Sequence, residues 1–244
     1  MKNYLSMGFG VNSVALHLLL LEQGVDFESV FVHHGTDWPE TYQYAAGFQW
    51  WLKQNGHKPV TILRPSVNTK TGGKFSNLYD WYKYQKQIPF RIGRACTSSF
   101  KVLPLLSYYK TPAFVHIGID NDESHRAKIV SGDGIEHRYL LIENKINRAG
   151  CKEIIKNHGL PMPMKSGCYI CPFQRLSQFK KLRTLHPELF CAIEKLEKRN
   201  MEFRASRGKK PVYLFKDIPL RKAIDEDQMV LFKEEEYPPC HCGL

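Results

Sequence analysis

The chain reads as an α/β protein: a parallel twisted sheet flanked by helices, followed by a C-terminal helical extension. Three observations predict this class. Short apolar runs at residues 2–6, 27–32, 60–63 and 113–119 have the length and β-branched content of buried strands. Helical segments separate the first three of them, which is the order of parallel strands joined by right-handed crossovers. Past Pro172 the strand-like runs stop and helical patterning takes over.

Residues 2–6 form a strand that feeds the loop Ser6-Met7-Gly8-Phe9-Gly10-Val11-Asn12-Ser13, and an apolar helix then runs to Glu22 and stops at Gly24. Asn12 or Ser13 is the expected N-cap of that helix. The strand Phe27–Val32 ends in His33-His34-Gly35-Thr36-Asp37, and Pro39 opens a helix to Gln54. Val60–Leu63 is a third strand, Ser66–Lys74 a mobile loop, and Asn77–Gln87 an aromatic helix. Another helix ends near Tyr109, and the strand Ala113–Ile119 runs into Asp120-Asn121-Asp122-Glu123-Ser124-His125-Arg126. Tyr139–Ile142 is expected as a last short strand, Arg148–Asn157 as a helix, and Gly159–Pro163 as a turn. Residues 174–200 read as helices broken at His186-Pro187, 199–210 as a basic stretch, Asp217–Phe232 as a helix, and the tail as irregular. Two regions are expected: an α/β domain over 1–160, and a cysteine-motif and basic helical region over 161–244.

The 244 residues suffice for a full core, and no apolar run approaches the ~20 residues of a membrane span. With no secretory h-region at its start, the chain is expected in the cytoplasm and off the membrane. A formal net charge of +11 favours a polyanionic partner, of which nucleic acid is the commonest. Seven cysteines in such a compartment argue against a disulfide framework and for metal or redox chemistry.

The opening loop sets two glycines and two hydroxyl residues before a helix, and the backbone N–H groups of such a turn hold phosphate. An ordinary tight turn into a buried helix has the same signature. Cys168-Tyr169-Ile170-Cys171 lets two thiolates share one metal, with Cys96 as a third. Zinc, an iron–sulfur cluster with one open iron, a redox pair and plain packing all remain open. Glu123 and Arg126 stand one turn apart, as a surface ion pair or with the guanidinium toward a phosphate. The rings of Tyr79, Trp81, Tyr82 and Tyr84 beside Lys83 and Lys86 suit core packing better than base stacking.

In combination these residues resemble a known family. The opening loop resembles the PP-loop of adenine-nucleotide alpha hydrolases (HUP-like fold), and more closely the Gly-Gly-Gly-Val-Asn-Ser variant of the phosphoadenosine phosphosulfate reductase-like family. His33-His34-Gly35 with Pro39-Glu40-Thr41 is similar to that family's Asp-Thr-Gly…Pro-Glu-Thr segment. Arg94-x-Cys96-Thr97 with Lys101 and Pro104 resembles its Arg-x-Cys-Thr…Lys…Pro segment. Gly118…Glu123…Arg126 and Gly167-Cys168-x-x-Cys171-Pro172 match two further segments in the same order.

The resemblance implies ATP cleavage between the α and β phosphates with Mg2+. Ser6, Gly8, Phe9, Gly10, Val11, Asn12, Ser13, His34, Gly118 and Glu123 would bind the nucleotide. Ser13, Arg126 and Lys101 would stabilise developing charge. Cys96, Cys168 and Cys171 would carry a [4Fe–4S] cluster, with Zn2+ as the alternative. In pattern the chain looks like the ATP-pyrophosphatase component of DNA phosphorothioation systems. The partners so implied are nucleic acid (DNA over RNA), a cysteine desulfurase and other modification-system proteins, with a homodimer allowed. An RNA-thiolating sulfurtransferase is a variant of this reading. Cys242-Gly243-Leu244 instead resembles the end of adenylyl-sulfate reductases, whose Cys is the nucleophile; Cys240 lies close by. A nucleotide-binding module without turnover is a third reading. It rests on two departures: Phe9 where the loop has Gly, expected to hold the backbone off phosphate, and Asn12 where Asp is common. His33 also replaces the Asp of the second segment.

Overall fold

The computed structural model describes residues 1–91, 94–127, 131–132 and 134–227. In chain order its elements begin with β1 (Lys2–Met7), α1 (Val11–Glu22), β2 (Glu28–Val32), α2 (Pro39–Gln54) and β3 (Thr61–Leu63). Then come β4 (Val67–Asn68), β5 (Lys74–Phe75), α3 (Leu78–Gln85), α4 (Ala95–Thr97), a π turn over Ser98–Val102, and α5 (Leu103–Tyr108). β6 (Ala113–Ile117), a 3-10 turn over Asn121–Arg126, β7 (Ser131–Gly132), β8 (Ile135–Arg138), α6 (Leu140–Glu143) and α7 (Arg148–Asn157) follow. The last helices are α8 (Leu176–Leu185), α9 (Pro187–Ala205) and α10 (Leu220–Glu226). None of the described helices is long and apolar enough to cross a membrane.

The chain divides into two compact units. The first comprises Met1–His33, Asp37–Pro65 and Lys101–Gly167. The second comprises His34–Thr36, Ser66–Phe100 and the chain from Cys168.

The first unit is the expected parallel sheet flanked by helices. Its strand order is β3-β2-β1-β6-β8-β7, parallel throughout except for the antiparallel edge strand β7. The winding reverses between β1 and β6, which is where such sheets open a crevice beyond their carboxyl ends. Side chains of a strand alternate between faces. Leu5, Met7 and Phe31 therefore join one core with α1, α2 and α7, while Tyr4, Val30 and Val32 join a second with Leu105 and Tyr109. α1 is buried nearly all round, and its apolar content is the reason.

The described part of the second unit is helical apart from the hairpin β4–β5. Asn77 caps α3 by accepting from the backbone N–H of Tyr79 at 2.8 Å. α8 packs against α9 and α10, and α3 against α9. The buried Glu197 carboxylate accepts from the N–H groups of Leu214 at 2.9 Å and Leu220 at 3.0 Å. Burial pushes its carboxyl up, and those two bonds act the other way.

Four local expectations are corrected. The last strand is Ile135–Arg138, and Leu140–Glu143 is a helical turn with Leu141 fully buried. A polar tetrapeptide becomes a strand because β6 supplies its pairing and Arg138 lies over the Phe114 ring at 5.2 Å. Ser66–Lys74 contributes to a hairpin, not to a structureless loop; its turn passes through Gly72 at φ 90°. The N-cap of α1 is Gly10, with Asn12 and Ser13 inside the helix. The described part of the last expected helix spans Leu220–Glu226, and the rest of that expectation lies outside the described residues.

Inside the first core, His17 on α1 meets the Ser29 hydroxyl at 2.8 Å and the rings of Phe27 and Phe48 at 5.0 Å. Burial, with His57 nearby, lowers its pKa from 6.5 to about 3. The unfolded chain thus takes up a proton below pH 6.5 that the folded chain refuses until near pH 3. Stability from this group is complete above that window and is lost as pH falls through it. Urea unfolding of the wild type and of His17→Gln should show a wild-type advantage that shrinks by about 1.4 kcal/mol per pH unit on acidification. An advantage constant from neutral to acid pH contradicts the assignment.

Candidate functional site

The loop between β1 and α1 lies at the carboxyl edge of the central strand, in the first unit. Ser6 is within β1 and is paired on both sides, in register with Val30 and Ile117. Gly8 donates its N–H to the Ser13 hydroxyl at 3.3 Å, and that hydroxyl donates to the Gly10 carbonyl at 3.1 Å. Ser13 therefore ties the loop to the helix it precedes. The N-cap Gly10 brings no side-chain cap, and the first turn from Val11 holds no acidic residue. The result is a helix start whose N–H groups and dipole favour an anion.

Phe9 packs its side chain into the core. Its φ of 51° is left-handed, which costs roughly 1–2 kcal/mol for a residue with a side chain. Its ring is fully buried, edge-on to Phe31 at 4.9 Å and Phe48 at 6.2 Å. Burial of a phenyl group contributes about 1.5–3 kcal/mol and offsets that strain.

Gly118, beyond the end of β6, lies against the same helix turn. A Cβ there would stand 2.9 Å from the backbone N and Cα of Ser13, so only glycine fits. At Gly10 a Cβ would come within 2.6 Å of the Ser166 hydroxyl.

Asn12 joins the loop to two charged residues that the sequence pattern did not single out. Its amide Nδ2 donates to Asp120 Oδ2 at 2.9 Å, and its Oδ1 accepts from Arg148 Nη1 at 2.6 Å. Asp120 is 2% exposed, and its other oxygen accepts from the Glu123 N–H at 3.1 Å, starting the 3-10 turn. Arg148 is the first residue of α7, and its N–H donates to Asp122 Oδ2 at 3.2 Å. A buried carboxylate, Asp120, and a guanidinium, Arg148, thus both meet the side chain at position 12. On the same turn Glu123 and Arg126 form a partly buried ion pair. Lys101 lies on the π turn before α5. His33 stacks on Tyr42 at 4.3 Å.

The cysteines of interest and His34 belong to the second unit. His34–Thr36 is threaded through that unit by backbone bonds, Leu78 N–H to the His34 carbonyl at 2.9 Å and Tyr169 N–H to the Thr36 carbonyl at 2.8 Å. The Cys168 thiol donates to the Thr36 hydroxyl at 3.0 Å, which also meets His34 Nδ1 at 2.8 Å. Cys171 closes a tight turn onto the Cys168 carbonyl at 3.0 Å. Cys96, Cys168 and Cys171 all act on one phenol. Burial raises the Tyr82 hydroxyl, then the charges of Cys96 and Cys168, a hydrogen bond with Cys96 and the charge of Cys171 raise it further. Thiols are the donors that soft metals and iron–sulfur clusters prefer. Among the described residues no group of three or more His, Cys, Asp or Glu is set to hold a single metal ion. Cys240 and Cys242 lie outside the described residues.

No family model matches the chain, and no curated protein does. Among solved structures the chain is similar to a phosphoadenylyl-sulfate reductase from Candida auris, solved as a phosphate complex, with 16% identity and a TM-score of 0.44. That match covers 67% of this chain and 75% of the other. At this level it carries no weight, and the fold class rests on the strand order and register above.

Asp120 and Arg148 escaped the sequence reading because they meet Asn12 from 108 and 136 positions away. One signal was present: Asp120 directly follows an apolar strand, at the edge where ligands bind. Gly118→Ala should lower stability by about 1–3 kcal/mol, since backbone and not a flexible side chain must give way. Thermal unfolding checks this, and an unchanged melting temperature would refute the close approach.

Proposed function

We propose that the chain is a PP-loop ATP pyrophosphatase that adenylylates an oxygen of a nucleic acid for sulfur insertion, of the DNA phosphorothioation type. The observation that carries this reading is the uncapped, acid-free first turn of α1, pressed by Gly118 and flanked by Arg148. The N–H groups of Phe9 to Ser13 would cradle the phosphates leaving as pyrophosphate. Arg148 and Arg126 are the cations on the turns around the loop, and they would balance charge gathering on phosphoryl oxygens. Asp120 is the carboxylate that meets the loop, and it suits Mg2+, which takes one or two carboxylates together with phosphate oxygens.

In the proposed reaction a nucleic-acid oxygen attacks the α-phosphorus, a new P–O bond forms, and the α–β bridging bond breaks. A sulfide-level nucleophile then displaces AMP from the activated atom. Cys96, Cys168 and Cys171 would hold an iron–sulfur cluster, which when bound supplies an open iron for sulfur chemistry. The net charge of +11 supports a nucleic-acid partner.

Pyrophosphate release from ATP, measured with and without single-stranded and duplex DNA or RNA, tests the reading. Release stimulated by nucleic acid and reduced at least about tenfold by Ser13→Ala or Arg148→Ala is expected, in line with the loss of one charge-stabilising contact. Turnover of adenylyl sulfate with thioredoxin, abolished by Cys242→Ser, would establish the reductase reading instead. Nucleotide binding without release of pyrophosphate would leave only a binding module.

The charge exchange between positions 12 and 120 makes a second prediction. Asn12→Asp alone sets two carboxylates in contact and should depress pyrophosphate release. Pairing it with Asp120→Asn should restore most of the activity. A double variant no better than the single one would show that Asp120 does not stand in for the loop carboxylate.

A further inference from the structure

The second unit carries a basic hollow that the chemistry above does not use. It is lined by Gln87 and Phe90 after α3, by Asn200, Phe203 and Arg204 on α9, and by Arg207 and Lys209 beyond it. The hollow opens to solvent on one side. Arg207 lies over the Phe203 ring at 4.3 Å, and Lys86 at 5.2 Å, so cations and an aromatic surface share one place. Asn200 makes this more than a charged surface. It is 2% exposed, and its Nδ2 donates to the Lys86 carbonyl at 2.9 Å. Its Oδ1 accepts from no described residue. A buried acceptor without a donor costs about 1–3 kcal/mol, which a bound N–H would relieve.

Cations for phosphate, rings and a guanidinium plane for stacking, and one buried acceptor for a base N–H are the parts of a single-strand site. We propose that this hollow seats one nucleotide of a single-stranded stretch of nucleic acid. Asn200 Oδ1 accepts from the base, the base stacks beside Phe203 and Arg207, and Arg204 and Lys209 take the phosphates. Duplex DNA cannot offer a stacked-in base edge there, so the site selects unpaired strand. The inference deepens the proposed function and rests on its nucleic-acid partner.

Binding of a short fluorescein-labelled single-stranded DNA, the same sequence as RNA, and the DNA duplex to the full chain is followed by anisotropy over a range of salt. Single strands should bind more tightly than duplex. Arg207→Glu with Lys209→Glu should weaken single-strand binding at least about tenfold and flatten the salt dependence by about one phosphate contact, that of Lys209. Phe203→Ala should weaken binding about tenfold with the salt slope unchanged. Lys152→Glu, on the exposed face of α7, controls for net charge and should have little effect. Melting temperatures and ATP-only pyrophosphate release should match the wild type in every variant. Wild-type binding that the hollow variants leave intact, or that Lys152→Glu weakens equally, overturns the hollow while the nucleic-acid reading stands. Failure of the wild type to bind any oligonucleotide overturns both.

Discussion

The first unit depends on one backbone contact. Gly118 brings the chain leaving β6 against the first turn of α1, where a single added carbon would lie 2.9 Å from Ser13. That approach aligns the ends of the two central strands, β1 and β6, at the reversal of the sheet. The loop before α1 and the turn after β6 consequently open on the same edge. Around that edge Asp120 reaches Asn12 and caps the Glu123 N–H, and Arg148 meets Asn12 from α7.

The charge arrangement around Asn12 differs from a loop that carries its own carboxylate. A neutral amide touches one anion and one cation, so its donor and its acceptor are each matched to the right sign. The negative charge sits one side chain further out, on a residue buried enough to be fixed in place. Charge-assisted hydrogen bonds of this kind are stronger than neutral ones. The loop is therefore braced from two distant parts of the chain.

Periodicity and apolar run length made the sheet legible. Residues 2–6, 27–32, 60–63 and 113–119 all fall on observed strands, and Arg148–Asn157 is a helix as expected. Local pattern failed where tertiary pairing decided. Ile135–Arg138 is polar yet pairs with β6, whereas the apolar Leu140–Glu143 coils into a helical turn. The loop motif was readable because its residues are adjacent. Its true N-cap, Gly10, was masked by better-capping neighbours, and its charged partners were masked by distance in the chain. In the second unit the spacing of Cys168 and Cys171 and the separate Cys96 were visible, but Tyr82, the phenol they share, read only as one aromatic among several.

Phe9 carries one more consequence. Its ring is locked among Phe31 and Phe48, so the left-handed backbone beside it is held by the core and not by a ligand. A glycine at that position would sample many conformations before binding and surrender that freedom on meeting phosphate. With phenylalanine the surrender has already occurred during folding, at the expense of the unfolded chain. Any anion that the helix start accepts would meet a loop of low conformational entropy, and more of the contact energy would appear as affinity.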